Sequence, residues 1–412
     1  MDPDAGDLRD RAERHPSRVD PVAVTRSVDD GDLTLDEGAQ VLVSLAENAD
    51  ENPLGDLEPL LTGRDHSVRT TVITALARVG DRDPELVEPL VPAMVSELGD
   101  DTFQTSTHLL RALRVVAPAY PTAFRSSVEE LLSSLSSTGR DGREAVVSVL
   151  YWVSEDDPEL LVEHADALQA QLDGLSRAEA DARRTIERSS PAEPVVREMK
   201  EDQLFNDRIR VLLLQTLTNV AGACDEPASV IDVGATVQLT NPEQYPEVRR
   251  ASLGLLGTVA RSEPGSLRDR VTAVSEYAAA ENERVAGTAA WTLAALADAY
   301  PADVSAAMES RVGPVLDLLW SDAAETRGHA LGLLAYLAEE GLPENHVQRM
   351  QPRLVDLLSD DHDFVRVGAV LTLESLRATG ALDELERLSE TDPDPEVRQA
   401  ATEAVRAIGP EQ

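Results

Sequence analysis

Apolar positions along the chain keep a long, regular register. Leu76, Leu113, Leu150, Leu217, Leu256, Leu293, Leu334 and Leu373 are separated by 37, 37, 67, 39, 37, 41 and 39 residues. Three residues after them come Val79, Val116, Val153, Val220, Val259, Leu296, Leu337 and Leu376, and a shorter last copy supplies Val405 and Ile408. Two apolar residues three apart form the buried edge of an amphipathic helix. Prolines keep an independent register: Pro84, Pro121, Pro158, Pro227, Pro264 and Pro301 recur at 37, 37, 69, 37 and 37 residues. Proline suits the first turn of a helix, where its missing N–H is not needed. Each unit therefore predicts a first helix opened by the proline, a short acidic turn, and a second helix carrying the leucine. A fixed period of about 40 residues marks an array whose units bury their apolar faces only against neighbours. No strand-like alternation of useful length interrupts it, so the expected class is all-α.

Two stretches break the register. Residues 1–34 carry no clear repeat and are expected to form a cap or frayed segment, with Leu35 to Ala46 as an orphan second helix. Residues 173–205 are an insertion between repeats at 35–172 and repeats at 206–412. Within it, Leu175 to Arg188 reads as a charged helix carrying Arg183 and Arg184, followed by a loop with Pro191 and Pro194. Insertions in repeat arrays map to one face and often carry a specialised contact.

The charge balance narrows the partners. Net charge is −39, from 76 acidic and 37 basic residues, and all of the basic ones except Lys200 are arginine. An acid excess with almost no lysine resembles proteins of salt-in halophiles, so an archaeal, haloarchaeal-like source is expected. Nucleic-acid affinity rests on an excess of basic charge, which this chain does not have, so nucleic acid is an unfavoured partner. Cys224 stands alone, which excludes an intramolecular disulfide and reads as a small hydrophobe. Met1 to Asp10 has no apolar core of a signal peptide, and no stretch is long and apolar enough to span a membrane. The expectation is a soluble, cytoplasmic protein without a membrane partner.

Seven residues before the leucine comes an arginine in most copies: Arg69, Arg143, Arg210, Arg249, Arg327, Arg366 and Arg398, with Ser106 and Ala286 as exceptions. The segments Asp65-His66-Ser67-Val68-Arg69, Asp363-Phe364-Val365-Arg366 and Asp394-Pro395-Glu396-Val397-Arg398 resemble HEAT repeats. The last copy, running on through Gln399-Ala400-Ala401, is similar to the short variety known from phycobilin lyases. The resemblance covers about residues 35 to 408. It implies an α-solenoid, a right-handed superhelix of about nine to ten helix pairs with second helices along the concave side. It also implies that the arginines are structural and pair with turn carboxylates; Asp65 and Asp394 stand four residues before Arg69 and Arg398.

No constellation of catalytic or metal-ligating residues emerges. The seven histidines are scattered, HExxH is missing, and there is no glycine-rich phosphate loop. Gly254 and Gly257 read as sites of close helix packing, and Trp320 as core. No cofactor, metal or catalytic residue is expected, and the protein reads as no enzyme. Chemically mixed columns are more informative. Two residues before the leucine stand Thr74, Arg111, Ser148, Gln215, Gly254, Trp291, Gly332 and Leu371; two after it stand Arg78, Val115, Trp152, Asn219, Thr258, Ala295, Tyr336 and Ser375. Core columns hold one residue type, so these two should be partly exposed. Trp, Tyr and Arg dominate binding hot spots, which makes Arg111, Trp152, Trp291 and Tyr336 candidate partner-binding residues, with Arg183 and Arg184 of the insertion. The expected function is a non-catalytic scaffold or adaptor, for instance in signalling, that binds a protein partner along the array. A lyase-like modifying enzyme of the phycobilin-lyase type and a helical-repeat DNA-repair protein are the alternatives.

Overall fold

The computed structural model describes residues 5–49, 53–61, 66–99, 103–137, 140–189 and 193–409, and every regular element among them is helical. The chain divides into two compact units, Met1–Ala223 and Cys224–Gln412. In the first, the second helices are Leu35–Asn48, His66–Gly80, Phe103–Val116, Arg140–Asp156 and Glu193–Ala223. In the other they are Pro246–Ser262, Glu283–Ala297, Ala324–Glu340, Asp363–Ser375 and Pro395–Ile408. Within each unit these helices pack against their sequence neighbours, and shorter helices cover one side. The leucine column is the spine: all eight members are at most 1% exposed.

The register prolines do open the first element of each pair, mostly as 3-10 turns such as Pro121–Ser127 and Pro158–His164. The residue before the proline, Tyr120 or Asp157, has φ near −140° and cannot continue the preceding helix. A 3-10 turn closes with i→i+3 bonds, so it reverses the chain in fewer residues than an α-helix needs.

The N-terminal expectation needs correcting. Leu35–Asn48 is no orphan: Pro21–Asp29 packs on it as its first helix, burying Val24, Thr25 and Val28, and Ala5–Arg14 adds a further layer. Asp20 caps Pro21–Asp29 by accepting the Val22 N–H at 2.9 Å. Asp20-Pro21 was the missed signal, the same acid–proline opening used at Asp83-Pro84.

The insertion is a helical hairpin of Ala165–Ser189 and Glu193–Ala223, lying inside the first unit. The chain's division comes after Ala223, beyond the insertion. Pro194 stands in the first turn of its helix rather than in a loop, as proline can; Pro191 lies outside the described residues. Arg210 locks the hairpin at its base. Its guanidinium is 0% exposed, bonds the Glu179 and Asp207 carboxylates at 2.7 Å each, and donates to the Leu175 carbonyl at 2.9 Å. Glu179 and Leu175 belong to the inserted segment, so the hairpin is tied into the repeat it interrupts.

Other repeat arginines hold turns, as expected, but where a carboxylate is bonded it belongs to the following turn. Arg327 donates to the Ser321 and Asp322 carbonyls of its own turn and bonds Asp360 of the next turn at 2.7 Å. Arg366 donates to the Asp360 carbonyl and grips Asp392 of the following turn with two bonds of 2.9 Å. Arg398 closes the series on the Asp392 and Pro393 carbonyls. Arg69 likewise reaches forward to Glu97 at 3.0 Å. Arg143 and Arg249 hold backbone carbonyls, those of Leu135 and Thr240. Asp394, four residues before Arg398, accepts the Glu396 and Val397 N–H groups as a helix cap, and Asp65 lies outside the described residues. Where the arginine is missing, at Ala286, the receiving position six residues before Arg327 holds Ser321, which donates to Glu283 at 2.6 Å.

This ladder has a pH signature. Burial would raise Asp360 and Asp392, but hydrogen bonds from Arg327 and the His362 N–H outweigh it in one case, and those from Arg366 and the Asp394 N–H in the other; both carboxyls lie below their ordinary value. A carboxylate lowered by folding stabilises the fold above its unfolded-state value and stops doing so as pH falls through the folded one. Acid titration should therefore erode the last two repeats below the ordinary carboxylate range, and Asp392→Asn should shrink that acid-side loss. An unchanged acid limb in the variant would contradict the assignment.

Candidate binding surface

The two mixed columns form the open face of the second helices. Their described members are half-buried or exposed, except Thr74, which is buried. In the second unit they converge on a groove of about 880 Å³. Its walls carry Gly332 and Tyr336 from Ala324–Glu340, Leu371 and Ser375 from Asp363–Ser375, and Glu403 and Ala407 from Pro395–Ile408. Each pair is a member of the column two before and the column two after the spine. Glu403 and Ala407 were missed by the sequence reading, although the same offsets counted from Val405 reach them.

Small residues make the groove. A Cβ built on Gly332 would meet nothing nearer than Ala294 at 4.0 Å, so the floor there is low because of composition. Leu371 is 44% exposed beside the half-buried Tyr336. Burial, then the Asp298 and Glu339 carboxylates beside it, push the Tyr336 hydroxyl up, so it stays a neutral donor and acceptor at neutral pH.

The remaining candidates are dispersed. Trp291 does not line the groove. It is half-buried, lies over Gly257 of the preceding second helix, and stacks on His329 of the next at 5.9 Å between ring centres. This position spans three helices and supports a packing role. Burial lowers His329, keeping its ring neutral. In the first unit Arg111 is exposed and paired with Asp81, Trp152 meets Tyr151 edge-on at 5.2 Å, and Arg184 pairs with Asp181 on the hairpin. The Arg183 side chain lies outside the described residues. Trp320 is not core: the turn Leu318–Trp320 directs Leu318 and Leu319 inward, leaving Trp320 49% exposed under the Arg353 guanidinium. Cys224 is half-buried, and burial followed by the Asp225 charge raises its thiol, so it is a poor nucleophile at neutral pH. Among the described residues no cluster of His, Cys, Asp and Glu could hold a metal, and no helix is long and apolar enough to cross a membrane.

Gly254 and Gly257 show how finely this face is tuned. A Cβ at Gly257 would meet the Trp291 ring at 2.1 Å, whereas one at Gly254 meets nothing within 4 Å. Gly257 is therefore a close-packing site, as the sequence suggested, and Gly254 is open surface. Gly257→Ala should cost about 1–3 kcal/mol through overpacking. Gly254→Ala should stabilise by about 0.5–1 kcal/mol through helix propensity. Thermal melts of the two variants with the same sign would refute the placement of Trp291.

The groove lies in the part of the chain where a family is recognised. Residues 312–406 match HEAT repeats. That span runs from Val312–Asp317 into Pro395–Ile408, and within it the chain matches HEAT repeats. Among solved structures the chain is similar to an engineered protein known from its crystal structure. The two are 18% identical over 96% of this chain and 100% of that one, with a TM-score of 0.62. At that identity the likeness speaks to fold alone, that of a helical repeat protein. No curated protein matches the chain.

Proposed function

We propose that the protein is a non-catalytic scaffold or adaptor that binds another protein along the open face of its second helices. The observation that carries this reading is the groove of Gly332, Tyr336, Leu371, Ser375, Glu403 and Ala407, built from aligned surface columns of three successive repeats. Stacked repeats offer extended surfaces of this kind, and an exposed leucine beside a tyrosine is a suitable anchor. The HEAT match over residues 312–406 agrees with such a role. Carboxylates around the groove disfavour nucleic acid, and among the described residues no cluster of groups favours a lyase. The acid-rich, lysine-poor composition supports a salt-rich cytoplasm of haloarchaeal type as the setting.

Gly332→Phe tests the reading, because Gly332 lines the groove and a Cβ there meets nothing nearer than 4.0 Å. Affinity capture from the source organism at its native salt should recover a protein partner with the wild type and at least tenfold less with the variant, at equal helical content. Equal recovery would move the binding surface elsewhere.

A further inference from the structure

Resting on that reading, we infer that the groove takes a basic, apolar-anchored protein segment: one or two large apolar side chains flanked by arginine or lysine. The floor asks for the apolar part. Leu371 is 44% exposed, Tyr336 is half-buried beside it, and Ala335 and Ala407 keep the walls shallow. An aliphatic or aromatic side chain seated there would cover surface that nothing in the second unit covers.

The rim asks for the charge. Glu339, Glu374 and Glu403 line the groove against one cation, Arg377, and Asp298 lies near enough to act on Tyr336. Like most carboxylates of this unit they stand outside the described ion pairs, whereas a few that brace the fold do not. Asp303, Asp317, Asp360 and Asp392 are each paired with an arginine, respectively Arg268, Arg349, Arg327 and Arg366. Among the described ion pairs none involves Glu339, Glu374, Glu403 or Asp298. Glu339 accepts only from the Ser375 hydroxyl at 3.3 Å, and Glu403 from the Gln399 amide at 3.0 Å. Partner cations would meet negative charge that the fold leaves unneutralised and would relieve the repulsion along the rim.

Sign and net charge exclude other occupants. A phosphate polymer would add to the repulsion. A second copy of this chain would bring another −39 charges towards the same rim. An amphipathic helix laid in a groove is a recurrent mode of peptide recognition, with anchors at i, i+3, i+4 and i+7.

The test uses the full chain and a fluorescein-labelled, amidated peptide of about sixteen residues, with leucines at those helical spacings and arginines beside them. Control peptides replace the arginines by glutamine or by glutamate. Anisotropy is read in roughly 0.5 M KCl, where close ion pairs survive screening, with helical content checked by circular dichroism. The arginine peptide should bind, the glutamine peptide about tenfold more weakly, and the glutamate peptide not measurably. Glu339→Gln with Glu374→Gln and Glu403→Gln should erase the preference for arginine over glutamine. Gly332→Phe should weaken every peptide. If arginine and glutamine peptides bind equally to the wild type, or the triple variant keeps the preference, the basic-segment inference falls while groove binding stands. If no peptide binds but Gly332→Phe still abolishes partner capture, the inference likewise falls alone. Gly332→Phe without effect on peptide and on capture overturns both.

Discussion

Arg210→Ala is expected to cost about 3–5 kcal/mol, because it removes the buried guanidinium that bridges the Glu179 and Asp207 carboxylates. Glu179 is 7% and Asp207 4% exposed, so water cannot replace the guanidinium without opening the hairpin base. The Leu175 carbonyl loses its donor as well. The loss should concentrate on Ala165–Ser189 and Glu193–Ala223, visible as an earlier urea transition and as proteolysis in the hairpin. Removing all three charges together, with Arg210→Met, Glu179→Leu and Asp207→Leu, should cost far less, since a buried ion cluster is often no more stabilising than apolar residues of similar volume. A single-variant loss below about 1 kcal/mol would mean the cluster is hydrated and the hairpin is loosely held.

Lowering salt should unfold the chain cooperatively at constant temperature. Even if every one of the 37 basic residues were paired, 39 of the 76 acidic residues would remain uncompensated (76 − 37). The ion pairs described above already commit many of the arginines, including those of the ladder. Charges on neighbouring repeats interact across distances comparable to the Debye length of about 10 Å at 0.1 M salt, while at 1 M it is about 3 Å. Repulsion of this size opposes compaction and is screened by any simple salt. Circular dichroism melts from molar to millimolar potassium chloride should show the midpoint falling steadily. A midpoint independent of salt would show that the excess charge is dispersed without energetic consequence.

What could be read from residues alone was whatever repeats. The spine from Leu76 to Leu373, the proline openings and the exposed columns are periodic, so each copy corrects the others, and the groove lies where two of those columns meet. Features that occur once were read less well. The hairpin depends on Glu179 meeting Arg210, two residues 31 apart in sequence that no periodic signal links. Trp320 turned outward because a 3-10 turn, in place of another α-turn, sets its direction. The arginine ladder was half legible: the column was plain, but a guanidinium reaching forward to Asp360 or Asp392 of the next turn cannot be told from one reaching back to Asp394 by spacing within a single repeat. Trp291 and Tyr336 are equally conspicuous in sequence, and only the geometry separates a residue wedged over Gly257 from one that borders open space.

Hydrogen–deuterium exchange of the protein with and without its captured partner, at native salt, bears most directly on the open second-helix face as the working surface. Binding should slow exchange in Ala324–Glu340, Asp363–Ser375 and Pro395–Ile408, with little change in the shorter helices that cover the other side. Protection confined to those shorter helices, or to the hairpin, would contradict it.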